Sequence, residues 1–393
     1  MMNNKLFLPV FCLLSLFFWA ACDLERIEPG GPSGTGTKFS TTVGGSSNDF
    51  PNDIITASDG GFVVAGYTQS FGNGNQAYIV KVDKNGAQQW ENNFGGAFDD
   101  YATAVTASSD GGFVLCGRTW DVNQNQDLLI VKVNSTGGKV WEKTYGATDS
   151  TETAFGIVPV GTGDFLIGYT VSGGVDLIRL LRVNSNGSKV SDKTVRTGDF
   201  GIKKMIKTSD GKIVMAGDKY STTTVSYILK LNEDGSYVWE NTYPSSAGNN
   251  YTPGYGVAEL TDKSLVMCSS DLGNNTSDHD FNLSAFNSIG GNLWDETWGG
   301  ASADELFDVA RSSDNELGVA GYTASFSGTT EIYLSKRKSI DGSKIWEKNF
   351  FAINNGWVSM AACSDGGFVV CAAQNQANGD IIIVKTDKDG NYQ

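Results

Sequence analysis

One histidine, His279, stands in the segment GNNTSDHDFN beside Asp271, Asp278 and Asp280. Imidazole and carboxylates are metal ligands, but a lone histidine excludes a multi-histidine metal centre and leaves at most one place in the chain for a His-based triad. The segment reads more simply as an enlarged, solvated loop. Two adjacent acidic pairs, Asp99–Asp100 and Asp304–Glu305, are the first residues to inspect for glycoside cleavage. That chemistry needs two carboxylates roughly 5–9.5 Å apart in one cleft. Four aromatic residues, Phe71, Trp120, Phe326 and Trp357, stand among amides and acids in stretches such as RTWDVNQNQ and TASFSGTTE. Exposed rings beside carboxylates suit stacking on sugar rings, with the acids accepting hydroxyl hydrogen bonds. Asp127, Asp280, Glu331 and Asp380 share one repeat position, which favours a local role in accepting loop N–H groups. No nucleophile elbow, phosphate-binding loop or dinucleotide fingerprint follows a suitable strand, and no calcium-loop spacing occurs.

The elements that must carry these residues repeat. Segments of the type DGGFVVAG recur with their leading apolar residue at Phe62, Phe113, Phe165, Ile213, Leu265, Leu317 and Phe368, at spacings of 51, 52, 48, 52, 52 and 51 residues. Each unit reads as four strands. A polar–apolar strand is followed by the DGGF strand and an apolar run such as AYIVKV. A turn of the DKNG, NSNG or NEDG type then leads to a strand carrying Trp90, Trp141, Trp239, Trp294 or Trp346, with Ser191 in the third unit. Such sheets are apolar on both faces and cannot bury themselves alone. A ring of stacked blades satisfies both faces, so the expected fold is all-β, a seven-bladed β-propeller of four-stranded antiparallel blades. The last unit stops after its third strand, and Phe39 lies 51 residues before Trp90. The strand at about 38–43 is therefore expected to complete the last blade and close the ring.

Basic residues near the end of the third strand (Lys81, Lys132, Arg182, Lys230, Lys336, Lys385) recur in step with acids after the Trp position (Glu91, Glu142, Asp192, Glu240, Asp295, Glu347). Period-two alternation puts Lys81 on the face of Trp90 and Glu91 on the other. The expectation is that each blade's lysine meets the next blade's acid.

The units GGAFDDYATAV, DGGFVLCGRT and DLLIVKVN resemble the bacterial β-propeller repeat family of secreted and surface proteins, over about residues 38–393. The stretch KVNSTGGKVW is similar to the Trp-docking turn of quinoprotein-like propellers, a matter of blade packing from which no cofactor follows. The resemblance implies a ligand face made by the loops between second and third strands and between blades. It does not dictate one function. That face carries Phe71, Trp120, Phe326, Trp357, Asp99, Asp100, Asp304 and Glu305 as ligand candidates. The expectation is a non-catalytic module for a glycan or protein. The alternatives are an enzyme acting on polysaccharide or peptide through paired carboxylates and an envelope scaffold.

Residues 1–21, with Lys5 ahead of the apolar run LFLPVFCLLSLFFW, read as a targeting segment. Ala20-Ala21-Cys22 resembles a lipoprotein processing site, which makes Cys22 the lipidation site and 22–37 a Gly/Pro-rich tether. No other apolar run is long enough to span a bilayer. Contact with the membrane is thus expected only through the N-terminal lipid, at a bacterial outer membrane. A formal charge of −15 disfavours nucleic acid as a partner. No cofactor or metal is expected, and the chain is expected to be a monomer. Cys116, Cys268, Cys363 and Cys371 read as small buried residues.

Overall fold

A tight turn joins the first two strands of each blade, with glycine in blades 1 to 4 and 7 and with Lys263 (φ +70°) and Asn315 (φ +64°) in blades 5 and 6, and in blades 1 to 6 a DKNG-type turn joins the last two. The computed structural model describes residues 38–392 apart from 73, 221–223, 244–252, 272–278, 354–355 and 376–377. Cys22, its tether and Asp278 lie outside the described residues. The strands form seven antiparallel sheets of four, six of them running outward in chain order and the seventh ending on the first strand of the chain. Blades 1 to 6 span 49–94, 100–145, 151–197, 200–243, 254–298 and 304–352. Blade 7 is completed as expected: Phe39–Val43 pairs with Ile381–Lys385 in the register Phe39↔Lys385 to Val43↔Ile381. The first strand of each blade packs against the first strands of its neighbours, and blade 7 meets blade 1, so the ring is closed.

Blade packing explains the tryptophans. Each lies half-buried or buried against the next blade's outer turn, Trp294 by packing on Gly342 and the other four with the indole N–H also donating to a turn carbonyl. Trp90 bonds Ser135 O at 3.1 Å, Trp141 bonds Ser185 O at 2.9 Å, Trp239 bonds Ser288 O at 3.0 Å and Trp346 bonds Lys388 O at 3.0 Å. The turn must carry glycine. Gly137 has φ +82°, and a Cβ there would lie 2.6 Å from the Trp90 ring. Phe39 occupies the same place against Gly86. In blade 3, where Ser191 replaces tryptophan, Val195 fills the space against Gly235 and Lys193 donates to Asp234 O at 2.9 Å.

The expected ion pairs between blades are corrected. The third-strand cation pairs inside its own blade, with the acid at the turn between the first and second strands, and among the described residues Arg182 alone of these cations also reaches the next blade, at Glu233 of its outer turn (3.6 Å). Lys132–Asp110 is 2.6 Å, Lys336–Asp314 2.7 Å, Lys385–Asp365 2.7 Å and Arg182–Asp164 2.8 Å, and Lys81 holds Asp59 likewise. The acids after the tryptophans serve the other face. Glu91, Asp192, Glu240 and Glu347 accept hydrogen bonds from third-strand tyrosines Tyr78, Tyr169, Tyr227 and Tyr333 of their own blades. Alternation placed the two charges on opposite faces correctly. The turn acid was the nearer partner.

The axis is occupied. Asp53, Ala104, Gly156, Lys204, Gly256, Asp308 and Ser359 are equivalent positions, one per first strand, separated by the repeat spacings. The small residues leave room for Lys204 of blade 4 to cross to blades that are not its neighbours. Its Nζ lies 3.2 Å from Asp53 Oδ1 of blade 1 and 3.2 Å from Asp308 Oδ2 of blade 6. Each aspartate also takes an N–H from the following blade: Val105 N donates to Asp53 at 3.0 Å and Met360 N to Asp308 at 3.1 Å. Ser359 Oγ donates to Asp308 at 3.0 Å.

Candidate functional site

The loop face gathers the first-strand beginnings, the loops between blades and the loops between second and third strands. Its architecture depends on buried acids at the start of first strands. Asp100 and Asp304 are both 0% exposed. Asp100 accepts the Gly96 N–H at 2.7 Å and Asp304 the Gly300 N–H at 2.8 Å, and Asp49 does the same for Gly45 at 2.7 Å. Ser325 Oγ adds a bond to Asp304 at 2.9 Å, and Thr323 adds another. Burial pushes the Asp100 carboxyl above its ordinary range, offset in part by the Thr119 and Gly96 donors. These two carboxylates hold loops between blades.

The second member of each acidic pair is placed differently. Asp99 lines an open groove of about 350 Å³ with Gly74, Ala97, Phe98, Trp120, Asp121 and Gln124. Its Oδ1 accepts Asn75 N at 2.9 Å, and Tyr101 Oη lies 3.5 Å from its Oδ2. Glu305 Oε1 lies 3.2 Å from His279 Nδ1. The Asp99–Asp100 pair is on blade 2 and Asp304–Glu305 on blade 6, with blades 7 and 1 between them. Of the four acids, Asp99 lines this groove.

The four off-repeat aromatics also divide. Phe71 is drawn inward, stacked on Tyr78 at 6.2 Å and packed on the core between blades 7 and 1. Trp357 joins a cluster with Tyr255 (5.7 Å) and Phe307 (5.2 Å), and Phe307 continues to Tyr322. Phe326 stands 56% exposed on the blade 6 loop. Trp120 is half-exposed on the groove wall.

Trp120 ends a row of half-exposed rings that the sequence reading missed. Phe50 stacks on Tyr67 at 4.7 Å, Tyr67 meets Tyr101 edge-on at 4.7 Å, and Tyr101 meets Trp120 at 5.6 Å. The Arg118 guanidinium lies 4.6 Å from the Tyr101 ring centre and 5.2 Å from that of Trp120. Phe98, 41% exposed, stands beside them in the groove. Asn75 Nδ2 donates to Tyr101 Oη at 2.7 Å. Burial, then the Asp99 charge, raises the Tyr101 phenol above its ordinary range, so it remains a donor. A signal for these residues did exist. Phe50↔Tyr67 and Tyr101↔Arg118 are cross-strand pairs at one repeat position, directly after the buried aspartate and directly after the strand glycine. The matching blade 6 pair is Glu305↔Tyr322.

A family model described as a domain of unknown function (DUF5122) beta-propeller matches residues 208–236, from the blade 4 glycine turn to its outer turn. Seven sheets in a closed ring and this match decide the class. This is a β-propeller protein. No curated protein sequence matches it. Among solved structures, the propeller is similar to a protein of unknown function from Dyadobacter fermentans DSM 18053, with a TM-score of 0.52 at 10% identity, covering 90% of this chain and 99% of that one. It is similar to an ulvan lyase of polysaccharide lyase family PL25, with a TM-score of 0.56 at 9% identity over 89% and 96% of the two chains. A quinohemoprotein alcohol dehydrogenase from Pseudomonas putida HK5 gives a TM-score of 0.51 at 10% identity, over 91% of the propeller and 76% of that enzyme. Identities this low carry the fold alone.

Proposed function

We propose that this propeller is a non-catalytic binding module for a glycan, held at the outer membrane of a cell envelope by a lipid on Cys22 and acting as a monomer. The observation that carries the reading is the row Phe50–Tyr67–Tyr101–Trp120 running into the groove of Phe98 and Asp99. Rings in a row offer successive apolar faces to pyranose rings. The Asp99 carboxylate accepts sugar hydroxyls, while the Tyr101 and Asn75 polar groups fix orientation. Trp357 belongs to a packed cluster, so the decisive substitutions lie in the groove.

The test is a glycan-binding screen of the soluble chain, followed by calorimetry on Trp120→Ala and Phe98→Ala. Each change should weaken the glycan found by about tenfold or more, as stacking worth 1–2 kcal/mol implies, with thermal unfolding little altered. Unaltered binding by the Trp120→Ala, Phe98→Ala double variant would remove the groove from consideration.

A further inference from the structure

We infer that the ligand of this groove is an acidic sugar, a pyranose bearing a carboxylate, and that Arg118 is the residue that selects it. The inference rests on the glycan reading above and adds to it the charge of the ligand.

Arg118 differs from the arginines around the ring. Arg179 holds Asp192 at 3.0 Å, Arg182 holds Asp164 at 2.8 Å and Arg196 holds Glu240 at 2.6 Å. Arg337 is buried and donates to Gly342 O and Tyr333 Oη. Among the described residues the Arg118 side chain has neither a carboxylate within ion-pair distance nor a hydrogen bond; its Nε is buried without a partner, as is that of Arg337, but Arg337 uses its two terminal nitrogens and Arg118 does not. Acidic residues are not scarce: the chain has 44 against 29 lysines and arginines. The acids at the groove accept backbone N–H groups and do not reach Arg118. Asp99 accepts Asn75 N at 2.9 Å, and Asp121 accepts Asn123 N at 2.8 Å and Asn125 N at 2.9 Å.

The guanidinium is nevertheless held in place. Tyr101 and Trp120 both lie within cation–π distance, which orients its plane and leaves its donor edge unused. A buried donor without a partner is unfavourable until something supplies an acceptor. The species that fits a guanidinium edge best is a carboxylate, which takes two parallel N–H bonds. Trp120 then offers its ring to the sugar face, and Asp99 accepts hydroxyls. One anionic group per sugar suits a single cation on an otherwise acidic surface.

The experiment is calorimetry on the full soluble chain with three probe sets: oligogalacturonate, oligomannuronate and oligoglucuronate; the methyl esters of the same oligomers; and sulfated neutral oligosaccharides. At least one carboxylate probe should bind about tenfold tighter than its own ester. Arg118→Gln should bring that ratio, taken within the same variant, to about one, and Arg118→Lys should restore part of it. Equal binding of acid and ester, or a preference that survives Arg118→Gln, overturns the role of Arg118 and leaves the glycan reading standing. Tighter binding of the sulfated probes overturns the choice of carboxylate. A glycan screen with no binder, acidic or neutral, overturns both.

Discussion

Asp218 and Asp110 show how one residue type takes opposite parts in this ring. Asp218 is buried between blades 4 and 5, where it accepts Gly254 N at 2.8 Å and Tyr220 Oη at 3.2 Å. Burial raises its carboxyl to about 6, with Lys203 offsetting part of the effect. Asp110 is held below the ordinary range of 3.8, first by its hydrogen bond to Lys132. The signs differ accordingly. Folded Asp218 holds its proton more tightly than the unfolded chain does, so its contribution falls as pH rises from 3.8 through 6, by about 3 kcal/mol. Asp110 contributes fully above 3.8 and loses that contribution as pH falls below it. Urea unfolding at pH 4.5 and 7.5 should show wild type losing stability relative to Asp218→Asn at the higher pH; equal differences at both would refute the shift. Roles on the loop face divide in the same way. Trp120 stood out in the sequence as an aromatic off the repeat, and Asp99 as one of an adjacent acidic pair. Phe50, Tyr67, Tyr101 and Arg118 did not, because they occupy ordinary strand positions whose exposure depends on the neighbouring blade.

The closing strand Phe39–Val43 was read correctly because both of its signals are local. Its spacing to Trp90 keeps the repeat, and the last unit lacks a fourth strand. The structure adds how it docks: Phe39 sits on Gly86 as each tryptophan sits on the next blade's turn glycine, and Phe39 and Val43 are both buried. Removing residues 38–45 should therefore destabilise the ring by about 4 kcal/mol or more, counting two buried side chains and the lost pairing. Hydrogen exchange should rise first in Ile381–Lys385, whose outer edge would be bare. Uniform exchange across all seven blades would show that the strand is not the clasp. The ion pairs were misassigned at this same scale. Strand alternation tells which face a lysine occupies, but the acid it meets depends on how the glycine turn folds back over its own sheet.

For the whole molecule, Lys204 is the tie that no single blade reveals. It joins blades 1, 4 and 6 across the axis, while the outer strand joins blade 7 at the rim. Lys204→Met leaves Asp53 and Asp308 without their shared cation, and a cost of about 3–5 kcal/mol is expected. Adding Asp308→Asn to Lys204→Met should recover part of it, because one of the two stranded charges is gone. A denaturant double-mutant cycle checks this, and strict additivity would show that the pair does not interact. The amino-acid sequence by itself determined the blade count, the four-strand unit, the glycine turns and the shared last blade. Those follow from periodic burial and turn chemistry, which act over a few residues and recur at each repeat. Only the tertiary structure decided which carboxylates are buried, which rings line up into a row, and which cation crosses the axis. The row of rings crosses from blade 1 to blade 2 and the axial tie joins residues 104 and 151 positions apart, so both are set by the stacking of one blade on the next and by the closing of the ring.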